Sequence, residues 1–146
     1  MKKILTPFAA FVFAVLFLTG CTTTPAPDQL ALYLADARDI AELGNSAALI
    51  ENPAYRKELT LTRDSLAALE ALPAGKVTVA DLVNVLTKLP LDQLQSDKGK
   101  IYVTGGRILV RRFTSWVTAP ELDVGASGMV QQFAAALRQG MDAALK

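Results

Sequence analysis

KGKIYVTGGRILVRRFTSWVT, residues 98–118, decides the fold class. Two readings compete for it. Gly105-Gly106 sits between β-branched runs and has the form of a two-residue hairpin turn, with strands over about 101–113. Read as a helix, Tyr102, Gly106, Leu109, Phe113 and Trp116 recur at steps of four, three, four and three, which is one helical face. Two glycines inside a helix cost about 1 kcal/mol each, and five positions in register outweigh them. The stretch is therefore expected to be helical and the chain all-α. The hairpin alternative would make it α+β.

Helical spacing continues on both sides. Downstream, residues 120–125 read as a loop, and Ser127 is placed to cap a final helix with the face Val130, Phe133, Leu137, Met141 and Ala144. Upstream, Thr78 with Asp81 three residues on has the form of a capping box. It opens a helix with the face Val79, Leu82, Val85 or Leu86, and Leu89, closed by Pro90, with one further turn expected over 91–96. Tyr55, Leu59, Thr62, Leu66 and Leu69 form another face, opened by Asn52-Pro53 and closed by Pro73 and Gly75. From Asp28 onward, Leu30, Leu34, Ala37, Ala41, Gly44 and Ala48 make a narrow face of small residues that a second helix can approach closely. Residues 28–146 are thus expected to form a single small bundle of four or five helices.

The segment before this domain has a different character. Lys2 and Lys3 precede 17 uncharged residues, 4–20, and the run ends at Leu18-Thr19-Gly20-Cys21. Basic start, apolar middle and small residues at the end are the layout of a secretory leader. The closing four residues resemble the lipobox of bacterial lipoproteins. That resemblance implies cleavage between Gly20 and Cys21, a diacylglycerol on the Cys21 thiol, and acylation of the new amino group. Residues 1–20 are then a signal peptide, and 21–27 an acylated Cys followed by a Thr- and Pro-rich tether. Two or three acyl chains anchor firmly, because each buried methylene adds about 0.8 kcal/mol. The resemblance also bears on sorting: Thr22, rather than Asp, follows the Cys, which implies the outer membrane, facing the periplasm.

Composition narrows the function. Of 146 residues, 51% are hydrophobic and 20% charged, which suits a folded domain. Without the leader, 13 basic residues face 14 acidic ones, so nothing draws the domain as a whole to nucleic acid. The chain has no histidine and one cysteine, so no intramolecular disulfide and no cysteine-rich metal site can form. With the commonest general base absent and no nucleotide or metal motif, we expect no catalytic residue, no cofactor and no metal; the chain does not read as an enzyme.

Few candidate sites stand out beyond Cys21. Lys98, Lys100, Arg107, Arg111 and Arg112 crowd into a stretch without an acidic residue, and on a helix Lys100, Arg107 and Arg111 share one face. These three are the candidate anion-binding residues, able to meet phosphates or carboxylates; a solvated, charge-balanced face is the plainer account. Asp36, Asp39 and Glu42, with Arg38 among them, read as an exposed acidic face. Tyr102 and Trp116 would serve as core anchors before a ligand-stacking pair. Gly105-Gly106 lacks the spacing of a phosphate loop, and Ser127 lacks a partner base. The expected role is structural or protein-interacting, through another envelope protein. The alternative is a binding module for an anionic component such as lipopolysaccharide or peptidoglycan, and an apolar-ligand carrier stands third.

Overall fold

The computed structural model describes residues 26–73, 75–89, 96–117 and 126–146. Five helices and no strand are found among them: α1 (Pro27–Glu51), α2 (Tyr55–Glu70), α3 (Val79–Leu86), α4 (Asp97–Val117) and α5 (Ala126–Ala144). The lipobox with Gly20 and Cys21, the tether up to Pro25, residues 91–95 of the extra turn expected over 91–96 and the loop over 120–125 lie outside the described residues.

The ambiguous stretch is helical, and the hairpin alternative is overturned. Both glycines sit inside α4, whose Phe113 and Val117 are buried and whose Val103, Leu109, Val110 and Trp116 pack against the core. A strand would send alternate residues to opposite faces and could not present that stripe to one side.

Helix α5 runs beside α1 and α2, and its Phe133 and Ala134 are fully buried. It lies parallel to α1, since Phe133 meets Tyr33 and Gly140 meets the turn at Arg38 and Ala41. Contact at Gly140 is so close that a Cβ there would be 2.7 Å from the Ala41 Cβ and 2.8 Å from the Glu42 nitrogen. Only glycine permits this approach. Helix α2 runs antiparallel to α5, clamped where Arg138 grips Glu70 through Nε at 2.6 Å and Nη2 at 3.1 Å. Helix α4 runs antiparallel to α1: Phe113 and Trp116 meet Tyr33, and Tyr102 meets Gly44.

Aromatic rings fix one end of this core. Phe113 and Phe133 stack with centroids 4.3 Å apart and planes 9° from parallel. Tyr33 adds a tilted contact with Trp116 at 4.6 Å, and its hydroxyl donates to the Leu109 carbonyl. Burial holds the Tyr33 phenol well above its ordinary pKa, so it stays a donor.

Three local expectations need correction. Helix α1 starts at Pro27, the last residue of the expected tether and one before the expected helix start, because proline at the first helical position loses no hydrogen bond. Asn52 closes α1 instead of capping α2; its Oδ1 accepts from the Ala54 N–H at 3.1 Å, and α2 begins at Tyr55. Ser127 lies within α5 and is no cap. Its hydroxyl oxygen accepts from the Gly75 N–H at 2.9 Å and the Val77 N–H at 3.4 Å, holding the connection between α2 and α3.

The capping box at α3 forms as the spacing predicts, with the Asp81 N–H donating to the Thr78 hydroxyl oxygen and the Thr78 N–H donating to Asp81 Oδ2. Hydrogen bonds from the Thr78 hydroxyl, then from its backbone, hold the Asp81 carboxyl below its ordinary pKa of 3.8. A carboxyl with a lowered folded-state pKa contributes stability above its unfolded value and loses it as pH falls through the folded one. Thr78→Ala should cost about 1 kcal/mol at neutral pH. Urea denaturation at a series of pH values should show the difference between the two proteins shrinking below about pH 3.8.

Candidate functional site

A cleft of about 520 Å³ opens between α1, α3, α4 and α5. Helix α5 supplies its floor with Phe133, Leu137 and Met141, all buried. Helix α1 brings Ile40, Ala41 and Gly44 to one wall, and α3 contributes Val83 and Leu86. The facing wall is α4, through Val103, Gly106 and Val110. Gly44 sets how near that wall comes, because a Cβ there would lie 3.1 Å from the Tyr102 Cβ. Gly106 does the opposite: a Cβ built on it meets nothing within 4 Å, so this part of the wall faces empty space.

Four of the lining residues carry amide, hydroxyl or guanidinium groups outside the aromatic set, and they fall into two pairs. Asn45 and Thr87 are already engaged. Asn45 Nδ2 donates to the Ala41 carbonyl at 2.5 Å and its Oδ1 accepts from the Tyr55 hydroxyl at 3.3 Å, while the Thr87 hydroxyl donates to the Asn84 carbonyl at 3.0 Å. Arg107 and Arg111 are different. Both are exposed at the rim, and among the described residues neither has an ion-pair or hydrogen-bond partner and no acidic residue lines the cleft. Beyond the Tyr102 hydroxyl, the free polar capacity of the described lining residues is therefore cationic.

The basic cluster of α4 divides accordingly. Lys100, Arg107 and Arg111 fall on one stripe of the helix, as their spacing requires, and all three are exposed. Arg107 and Arg111 belong to the cleft, whereas Lys100 does not line it. Arg112 points elsewhere, with its guanidinium 5.4 Å from the Trp116 ring centroid. The remaining arginines engaged in ion pairs, Arg38, Arg63 and Arg138, are matched by Asp39, Asp64, Glu70 and Asp142.

Other candidates are not brought to this place. Asp36, Asp39 and Glu42 do not line the cleft, and Asp39 pairs with Arg38 at 3.2 Å. Partial burial, with Asp39 beside it, raises the Asp36 carboxyl above its ordinary range. Among the described residues no group of three or more His, Cys, Asp or Glu side chains could hold a metal. Tyr102 and Trp116 do not stack with each other; 14 residues of helix separate them by about 21 Å. Tyr102 packs on Gly44 and lines the cleft, and Trp116 joins Tyr33.

Sequence reading missed the cleft as a unit, along with the buried polar Tyr33 and Asn45. One signal was present. Gly106 lies between Val103 and Val110 with arginines one and five positions on, the mark of an indented apolar wall with a basic edge.

Among the described residues no helix is long and apolar enough to cross a membrane. Comparison of the chain with protein-family models, with curated proteins and with solved structures gave no match.

Proposed function

We propose that this chain is a lipid-anchored envelope protein, held through Cys21, whose helical domain is a non-enzymatic binding module for an anionic envelope component. One observation carries the reading: an apolar cleft whose only unengaged charged groups, among the described residues, are the guanidinium ions of Arg107 and Arg111. Unpaired arginines beside an apolar surface suit an anion attached to an apolar body, since the fork of a guanidinium matches carboxylate or phosphate. The lipobox resemblance supports the anchor and an outer-membrane position facing the periplasm.

Two experiments test the parts separately. Cells fed a clickable fatty acid should label the protein, and Cys21→Ala should abolish the label and leave the precursor uncut; a labelled alanine protein overturns the anchor. Residues 22–146, free of lipid, should float with anionic vesicles at low salt and release as salt rises, because charges are screened beyond about 8 Å at physiological ionic strength. Each cation near such a surface contributes about 1 kcal/mol, so changing Lys100, Arg107 and Arg111 together to Gln should weaken binding roughly a hundredfold. Equal flotation of both proteins overturns the anionic reading.

Docking onto another envelope protein is the second reading, and α1 favours it. Leu32, Leu43 and Ile50 are 70%, 49% and 84% exposed. At steps of 11 and 7 they return to nearly the same angle of the helix. Photocrosslinking from position 50 in the envelope separates the readings: one defined protein adduct favours docking, and its absence favours the cleft.

A further inference from the structure

We propose that the cleft takes the single acyl chain of an anionic lipid, a fatty acid or a lysophospholipid, with the chain along the α5 floor and the headgroup between Arg107 and Arg111. The proposal rests on the binding-module reading above and narrows it to one ligand class.

Volume sets the number of chains. A methylene group is close in size to a water molecule, whose share of liquid volume is about 30 Å³. A cleft of about 520 Å³ therefore holds roughly 17 such groups. That is one chain of ordinary lipid length. The two chains of a phospholipid need about twice the space, and the several chains of lipopolysaccharide need more. Glycan fits no better, because Ile40, Val83, Leu86, Leu137 and Met141 offer a sugar no hydrogen bond.

Charge sets the headgroup. Arg107 and Arg111 stand four residues apart on α4, so their side chains leave adjacent turns on the same face. Two guanidinium ions carried on adjacent turns at the rim of an apolar trough match one carboxylate or one phosphate, to which each can donate bidentately. Among the described residues no acidic side chain lines the cleft to compete. A neutral long-chain alcohol would satisfy the trough and leave both cations without a partner.

Gly106 gives a test that spares the fold. Its Cβ position is empty and it lines the cleft, so Gly106→Leu fills the trough from within a helix that leucine favours. The full-length protein, in nanodiscs of zwitterionic phosphatidylcholine, is irradiated with a photoactivatable 16-carbon carboxylate, and the labelled fraction is followed against probe concentration. Wild type should saturate. Gly106→Leu should fall to the background of an empty nanodisc while keeping its helical circular dichroism. Arg107→Gln with Arg111→Gln should raise the half-labelling concentration at least tenfold. Palmitate or lysophosphatidylglycerol should displace the probe from wild type, and whichever acts at the lower concentration identifies the headgroup as carboxylate or phosphate. Hexadecanol should compete weakly, and equally in wild type and the double variant. Labelling of Gly106→Leu at the wild-type level overturns the cleft. Displacement by dipalmitoyl phosphatidylglycerol as effective as by palmitate overturns the single-chain assignment. If neither single-chain anion displaces the probe while salt-sensitive flotation persists, the lipid proposal fails and the broader binding reading survives.

Discussion

Gly140→Leu should remove cooperative folding, the largest effect expected of any single change in this chain. A Cβ at this position would collide with the Arg38 carbonyl oxygen and lie 2.7 Å from the Ala41 Cβ. The obstacles are backbone atoms of α1 and a side chain with no rotamer to change, so relief requires α1 and α5 to part. Overpacking costs about 1–3 kcal/mol where side chains can adjust, and more where they cannot. Gly140→Ala should therefore cost at least about 2–3 kcal/mol, and Gly140→Leu a large share of the 5–15 kcal/mol typical of a whole domain. Thermal unfolding followed by circular dichroism checks both. Gly106→Leu is the control: with empty space at its Cβ, it should leave the midpoint unchanged or raise it, since leucine gains up to about 1 kcal/mol over glycine in a helix. Equal tolerance of leucine at 106 and 140 would contradict the packing described here.

Phe133→Ala comes next, with an expected loss of about 3–5 kcal/mol in urea denaturation. Phe133 is fully buried, stacks on Phe113 at 4.3 Å and meets Tyr33 at 5.7 Å. Its removal leaves a cavity where α1, α4 and α5 converge and takes away two aromatic contacts. Leu61→Ala, at a position 54% exposed, should stay within about 0.5 kcal/mol of wild type. A small loss at Phe133 would mean that the ring stack is not the core's anchor.

The helices were largely legible in the sequence, for reasons that differ between segments. The α2 face Tyr55, Leu59, Thr62, Leu66 and Leu69 is the buried set of that helix, residue for residue, because strong apolar positions alternate there with charged ones. For α4 the four-three spacing prevailed over Gly105-Gly106, since the apolar stripe is long and the glycines cost little beside its burial. In α1 the reading slipped by one position at each end. Tyr33 and Asn45 are buried where Leu34 and Gly44 were expected to lead. Both carry polar atoms, and only the folded chain shows that Leu109, Ala41 and Tyr55 engage them. Ser127 misled similarly: a serine at the start of a helix resembles a cap until the distant N–H groups of Gly75 and Val77 are brought to it. The cleft was least legible. Its walls come from four helices, and spacing along one helix does not show which neighbour leaves a gap. The basic stripe was visible, but that Arg107 and Arg111 meet no carboxylate among the described residues is a fact of three dimensions.

Mapping where a bound chain touches the protein tests the central claim most directly. The full-length protein is labelled with the photoactivatable 16-carbon carboxylate, digested, and the adducts are assigned by peptide mass spectrometry, with and without excess palmitate. Adducts are expected on the cleft walls, at Val83 and Leu86 of α3, Val103 and Val110 of α4 and Met141 of α5, all lost under excess palmitate. Adducts concentrated on the exposed stripe of Leu32, Leu43 and Ile50, or adducts anywhere that palmitate does not suppress, would contradict it.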